Sequence, residues 1–321
     1  MYSFGVIMDP IQNIDIKKDS TIAILEALQK NSKIYYILPD SVHMHNQKVY
    51  GKIGFLKINR KIKPFYEISN MRLKELTALD CILFRLDPPV DEYYIQLTHI
   101  LDQMESMGVL IINSSQSLRD FNEKMLGNQL SNKTLPTLIT SNKVYINMFL
   151  KKYRKIVLKP MNMMAGKGIV LVSNDDLNGQ EIIDEMLNQS RRFIICQKYV
   201  DAIVKGDTRI LITNGVVHKY VLVRYPPKND FRSYLLYGGK YKNKKINKRH
   251  LDILREVAEY LKYNRIYFAG VDMIGDYITE INITSPTGIR QIEGKDKKLS
   301  LEIASQFISI VKNYYDRKKQ N

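Results

Sequence analysis

The sequence predicts an α/β protein: a parallel sheet in the first third, an α+β central part, then longer antiparallel strands. Up to residue 112, short apolar runs alternate with helix-spaced segments, an order that implies parallel strands joined by right-handed crossovers. Past residue 150 the runs crowd together around turn signals, Asn214-Gly215 and Gly275-Asp276. The 321 residues, 45% hydrophobic and 26% charged, suffice for the cores of two or three domains.

The elements follow in order. Tyr2–Met8 is an apolar strand ending at Asp9-Pro10. Ile22, Leu25 and Leu28 have helical spacing within 21–30, and Asp19 or Ser20 caps that helix. Lys33–Leu38 and Asp80–Arg85 are strands, the second closed by Asp87-Pro88-Pro89. A helix over 93–107 stops at Gly108, a strand covers Val109–Ile112, and a helix over 117–130 connects onward. The central part reads as strands 155–159 and 169–173, a helix over 176–189 and a strand over 193–197. Strands 208–213 and 216–224 come next, then an irregular loop from Tyr225 to about Asn247 and a helix over 248–263. A hairpin of Phe268–Ile274 and Tyr277–Asn282 and a helix over 298–315 complete the pattern. Ligands of parallel sheets lie beyond the carboxyl ends of the strands, where Asp9, Arg85 and Asn113 fall.

Composition narrows the classes. No apolar run approaches the ~18 residues that span a bilayer, and MYSFGVIMDP lacks the pattern of a signal peptide, so a cytoplasmic protein off the membrane is expected. The net charge of +16 is spread along the chain, and its densest cluster, KYKNKKINKR at 240–249, lies in one apparent loop. That distribution suits a solvated basic surface attracting anionic substrates rather than a nucleic-acid site. Cys81 and Cys196 sit inside apolar runs and read as buried packing residues. Phosphate-loop, dinucleotide-fingerprint, paired-cysteine and H-E-x-x-H signatures are absent from the sequence.

Three constellations carry chemistry. Glu280 and Asn282 are two apart on one strand and share a face, with Asp272 on the hairpin partner. Their hard oxygens suit Mg²⁺ (or Mn²⁺) completed by substrate phosphates. A polar outer hairpin face would use the same residue types, although Asp and Asn are poor strand formers. Lys159 ends a strand before a loop holding Gly166 and Gly168, which can cradle phosphates or be an ordinary hairpin loop. Arg224, Arg232 and Gly238-Gly239 border a long loop, either a lid or plain surface.

The blocks IMDPIQNIDIKKDST, FRLDPP, NSSQSLRDFNEK, VLKP and GVDMIGDYITEINITSPTGIRQIE together resemble the bacterial glutathione synthetases of the ATP-grasp superfamily, in order along nearly the whole chain. The resemblance implies a three-domain ATP-grasp architecture. An N-terminal parallel-sheet (pre-ATP-grasp) domain would cover 1–120, a central lid domain 121–203, and a C-terminal domain with the metal ligands 204–321. It implies ligation of γ-glutamylcysteine to glycine with ATP as co-substrate, through an acyl phosphate on the cysteine carboxylate. Lys124 and Lys159 would meet the ATP phosphates, Gln197, Tyr199 and Val200 the adenine, and Asp207 the ribose side. Arg209, Arg224 and Arg232 fall at catalytic positions around phosphate and acyl phosphate. Arg85, Ser285 and Thr287, with Asp9, Asn13 and Lys18, fall on the peptide-substrate side, and Asp272, Glu280 and Asn282 match the metal ligands. The family likeness further implies a homotetramer.

Two departures stand out. Asn162, Met163 and Ala165 replace an expected Asp, Gly and Gly after Lys159, and non-glycine residues reach positive φ at a cost. The lid segment Tyr234–Tyr237 is bulkier than the family's. Both bear on rate and loop closure rather than on reaction type. Another ATP-grasp ligase and a basic binding protein without catalysis are the rival readings. The substrate-side blocks and the intact metal triad weigh against them.

Overall fold

Strand β1 (Tyr2–Met8) is buried over its last five residues, as befits a strand covered on both faces. The structure, a computed structural model, describes residues 1–130, 133–163, 166–233, 238–296 and 298–320. Helix α1 (Ser20–Leu28) follows, its first turn capped by the Asp19 side chain, which accepts from Ile22 N–H at 2.6 Å. Next come β2 (Ser32–Ile37), β3 (His43–His45), β4 (Lys48–Ile58), β5 (Tyr66–Ile68), β6 (Arg72–Glu75), β7 (Cys81–Arg85), α2 (Glu92–Ser106) and β8 (Leu110–Ile112).

β2, β1, β7 and β8 form the expected parallel ladder. The sheet then extends beyond it: β4 joins β2 antiparallel, and β3, β5 and β6 pair with β4. These four strands had no counterpart in the sequence reading. Their hairpin turns at Asn46-Gln47, both at positive φ without a glycine, and β4 intersperses lysines with its buried residues. The single helix expected over 117–130 is two helices, α3 (Ser115–Asp120) and α4 (Glu123–Leu130). Phe121 is extended between them, and Asn122 Oδ1 accepts from Lys124 N–H at 3.0 Å, starting a new helix.

A four-stranded antiparallel sheet follows, with β9 (Thr137–Thr140), helix α5 (Lys143–Tyr153), β10 (Lys155–Pro160), β11 (Val170–Ser173), helix α6 (Gly179–Leu187) and β12 (Ile194–Lys198), ordered β11-β10-β12-β9. Its core, including Ile146, Leu158, Ile183 and Cys196, is drawn entirely from this segment. The third sheet contains β13 (Asp207–Thr213), β14 (Val216–Val217), β15 (Tyr220–Tyr225), β16 (Lys240–Lys245), β17 (Phe268–Ile274) and β18 (Tyr277–Asn282), ordered β16-β15-β13-β17-β18 with β14 beside β13. Helix α7 (Lys248–Tyr263) lies in chain order between β16 and β17, and α8 (Ile289–Ile292) and α9 (Leu299–Lys318) follow β18. The loop expected from Tyr225 to Asn247 is thus corrected over 240–245. There a full strand pairs with β15, and its lysines guard the sheet edge.

The first and third sheets share their cores. One cluster joins Ile7, Phe84 and Leu126 to Ile210, Val271 and Ile281, and a second joins Phe4 and Leu25 to Phe268 and Phe307. Asn113, just past β8, stitches the two sheets: its amide donates to the carbonyls of Phe268 (2.8 Å) and Ile283 (2.6 Å) and accepts from Phe268 N–H (2.8 Å). Cys81 and Cys196 are buried free thiols, and burial pushes the Cys196 thiol up to about 12. Among the described residues, no helix is long and apolar enough to cross a membrane.

Candidate active site

Strand alternation builds the site on one face of the third sheet. Asp207 and Arg209 are two apart on β13; Arg224 of β15 stands opposite Asp207, and Asp272 of β17 opposite Arg209. Glu280 of β18 faces Asp272, and Asn282 faces Gly270. Residues opposite one another project to the same side, so this register gathers alternating charges into one row. Arg209 grips Asp272 in a bidentate pair, Nε to Oδ1 at 2.5 Å and Nη2 to Oδ2 at 2.7 Å, with the two side chains 6% and 3% exposed. Arg224 bridges Asp207 and Asp272, lying 3.0 Å from Asp272 Oδ1. Asn282 Nδ2 donates to the Gly270 carbonyl (3.1 Å) and to Asp272 Oδ2 (3.3 Å).

Burial and charge oppose each other here. Burial raises Asp272, but the Arg209 and Arg224 guanidiniums outweigh it and hold the carboxyl at about 2. Glu280 and Asp207 are pushed up, each chiefly by burial, although Lys124 and Arg224 respectively pull them back. Gly270 is a site residue that the sequence reading passed over. A Cβ there would stand 3.0 Å from Arg209 Cδ and 3.1 Å from Pro286 Cβ, so glycine makes room for the guanidinium.

The central sheet closes the other side of a cavity lined by Val157, Lys159, Gln197, Tyr199, Val200, Asp207, Arg232, Asp272 and Glu280, among others. Lys159 Nζ donates to Gln197 Oε1 at 2.8 Å, and burial lowers its affinity for a proton while Glu280 raises it. Lys124, at the start of α4, lies 3.7 Å from Glu280 Oε1 and donates to the Met163 carbonyl at 2.5 Å. Arg232 pairs with Asp230 in its own loop, at 2.7 Å, while lining the cavity. In the loop after Lys159, the positive φ values fall on Gly166 and Gly168 and not on Asn162 or Met163. Ala165 and the bulky segment Tyr234–Tyr237 lie outside the described residues.

The segment after β18 meets the N-terminal sheet. Arg85 is buried, stacks over Phe268 at 5.3 Å and donates to the Pro286 carbonyl at 2.9 Å. Arg209 Nη1 donates to the Thr287 carbonyl at 3.2 Å, and Ser285 hydrogen-bonds Asp87. Asp9 accepts from Asp87 N–H at 2.8 Å on the same rim. Asn13 and Lys18 stay on the exposed stretch before α1, Lys18 lying 3.6 Å from Asp15.

Two descriptions of known families match this chain: prokaryotic glutathione synthetase, N-terminal domain, over residues 2–119, and prokaryotic glutathione synthetase, ATP-grasp domain, over 123–297. A glutathione synthetase of Coxiella burnetii is 36% identical over 312 residues, spanning 97% of this chain and 96% of its own. One of Buchnera aphidicola is 41% identical over 293 residues, spanning 91% and 90%. Among solved structures, D-cycloserine synthetase DcsG superposes with a TM-score of 0.68 at 11% identity, covering 96% of this chain and 99% of that one. D-alanyl-alanine synthetase A from Vibrio cholerae gives 0.60 at 13% identity, covering 98% of both. The matching family description names the ATP-grasp domain over 123–297, and the structural likenesses show a shared fold along nearly the whole chain.

Proposed function

The chain belongs to the prokaryotic glutathione synthetase family, and we propose that its cleft joins the cysteine carboxylate of γ-glutamylcysteine to the amine of glycine. It is an ATP-dependent carboxylate–amine ligase of the ATP-grasp fold, a class that uses ATP and a divalent metal ion. One observation supports the finer reading above the others. Lys159, Asp207, Arg232, Asp272 and Glu280 line one cavity between two sheets, with Lys124 beside Glu280 and Arg209 and Arg224 paired to Asp272.

The donor set fits a hard cation. Glu280 and the Asn282 carbonyl would hold Mg²⁺ or Mn²⁺ together with nucleotide oxygens. Asp272 has its four acceptor positions engaged by Arg209, Arg224 and Asn282, so it joins the set on giving up one donor. When bound, the ion neutralises charge on the transferring phosphoryl group.

The remaining work falls to the chain. Val200 N–H, without a protein partner among the described residues, and the wall from Gln197 to Val200 receive the base, and Asp207 meets the sugar side. Lys124 and Lys159 bring fixed positive charge to the phosphates, already desolvated and needing no reorganisation as negative charge builds. A carboxylate oxygen of the dipeptide attacks the γ-phosphorus, and the bond to the ADP oxygen breaks. The deprotonated glycine amine then attacks the acyl carbon, and phosphate departs. Arg224 and Arg232 face the acyl phosphate, while Arg85, Ser285 and Thr287, with Asp9, Asn13 and Lys18 outward, form the peptide side. The division at 120 and 203 belongs to the same reading, supported by the separate core of the central sheet. A cytoplasmic homotetramer is the setting we infer.

Phosphate release measured with each substrate omitted in turn tests this. Release should require ATP, γ-glutamylcysteine and glycine together. Equal turnover with unrelated amino-acid pairs would assign the cleft to another ligation.

A further inference from the structure

We propose that Glu123 is a positioning residue for the ligation, fixing the segment 283–288 that seats the carboxylate and amine substrates. The inference rests on the assignment of that segment to the substrate side. A single carboxylate oxygen, Glu123 Oε1, accepts from Ile283 N–H (2.6 Å), Thr284 N–H (2.8 Å) and the Thr284 hydroxyl (2.8 Å). Three donors converge on this one oxygen, and a carboxylate oxygen accepts such bonds more strongly than a neutral amide oxygen does. Glu123 opens α4, so its backbone is fixed by the first turn of that helix.

The segment it holds follows directly on Asn282. Its far end is fixed separately, by Ser20 Oγ accepting from Gly288 N–H (3.0 Å) and Ile289 N–H (3.1 Å). Between these two fixed ends, the Pro286 and Thr287 carbonyls receive Arg85 and Arg209. Without Glu123 the near end loses three bonds and both arginines lose a fixed acceptor. The neighbouring Lys124 reaches Met163 and Glu280, so one turn of α4 sets the substrate segment and the phosphate loop in register. Because Oε1 is taken up by backbone and hydroxyl donors, Glu123 acts through the segment and not on a reacting atom.

The test compares wild type with Glu123→Ala, Glu123→Gln and Thr284→Val in the full chain, by steady-state kinetics, direct ATP titration and amide exchange of the peptide covering 281–289. Glu123→Ala should lower kcat/KM for γ-glutamylcysteine by about a hundredfold, as a small misplacement can, with ATP affinity within about twofold of wild type. Exchange at Ile283 and Thr284 should accelerate. Glu123→Gln should recover part of both losses, and Thr284→Val, which removes one donor, should give a smaller loss of the same kind. Unchanged exchange in Glu123→Ala overturns the proposal, as does an equal fall in ATP affinity. So does a Gln variant with kcat as low as the Ala variant but wild-type exchange, which would make the carboxylate a proton-transfer group. The exchange and ATP arms need no ligation. Absence of turnover in wild type would therefore overturn the substrate assignment while leaving the hold of Glu123 on the segment separately measurable.

Discussion

Gly270 contributes by having no side chain. Its neighbours are held in place: Arg209 at two nitrogens by Asp272 and at the third by the Thr287 carbonyl, and Pro286 by Arg85. Gly270→Ala should therefore displace the guanidinium and lower kcat/KM by about a hundredfold, while overpacking costs about 1–3 kcal/mol in stability. Kinetics and urea denaturation on the same preparation measure both. Glu280 makes a second prediction. Burial pushes its carboxyl up, and a metal ion takes the deprotonated form, so the Mg²⁺ concentration for half-maximal rate should rise as pH falls toward that elevated pKa. Glu280→Gln should lose that pH dependence together with about a hundredfold or more of turnover, since several kcal/mol of charge stabilisation go with the ion. A Gln variant with an unaltered Mg²⁺ titration would remove Glu280 from the metal set.

Elements show where local pattern sufficed and where it failed. Helix α7 and the β17–β18 hairpin come close to their expected bounds because periodicity, Asn247 as a cap and a glycine turn all agree. The expected helix over 117–130 fails because Asn122 caps a new helix inside an otherwise helical pattern, and that break is what points Glu123 and Lys124 into the cleft. The strand expected over 216–224 is interrupted at His218, which is buried and bonded to Thr213 Oγ1 at 2.9 Å, with Glu302 of α9 3.8 Å away. Burial holds His218 at about 4, below its ordinary 6.5. Above pH 6.5 the ring is neutral in both states and adds no pH dependence. Between 6.5 and 4 the unfolded chain takes up a proton that the folded one refuses, so stability should fall with pH, by about 3 kcal/mol in all. Denaturation midpoints at pH 7, 6 and 5 should show that slope in wild type and a flatter one in His218→Asn; parallel slopes would exclude the ring as the cause.

At the scale of the molecule, the N-terminal and third sheets are one packed body, while the central sheet keeps its own core. The cavity lined by Lys159 and Glu280 lies between the central sheet and that larger body. Asn113 joins the two sheets of that body, and no pattern of apolar periodicity could reveal it. Asn113→Ala would leave the Phe268 N–H and two carbonyls unsatisfied in the interior, costing about 3–5 kcal/mol. A lower urea midpoint with unchanged ATP affinity below the transition is expected, and an unshifted midpoint would deny the stitch.

Much of this was legible in the chain itself. The parallel strands are apolar runs separated by helical periodicity, and Glu280 with Asn282 stand two apart and must share a strand face, whereas Asp207 lies just outside the strand expected over 208–213. Residue chemistry, hard oxygens beside lysines and arginines, already indicated phosphate and metal. Tertiary structure alone decided who meets whom. Register across four antiparallel strands set Arg209 against Asp272 and Arg224 against Asp207, and packing carried Glu123 to residues 160 positions away. It also left Asn13 and Lys18 on the exposed rim. The physical reason is range: side-chain period and capping act within a few residues, whereas pairing register and burial come from chain segments brought together only when the whole core forms.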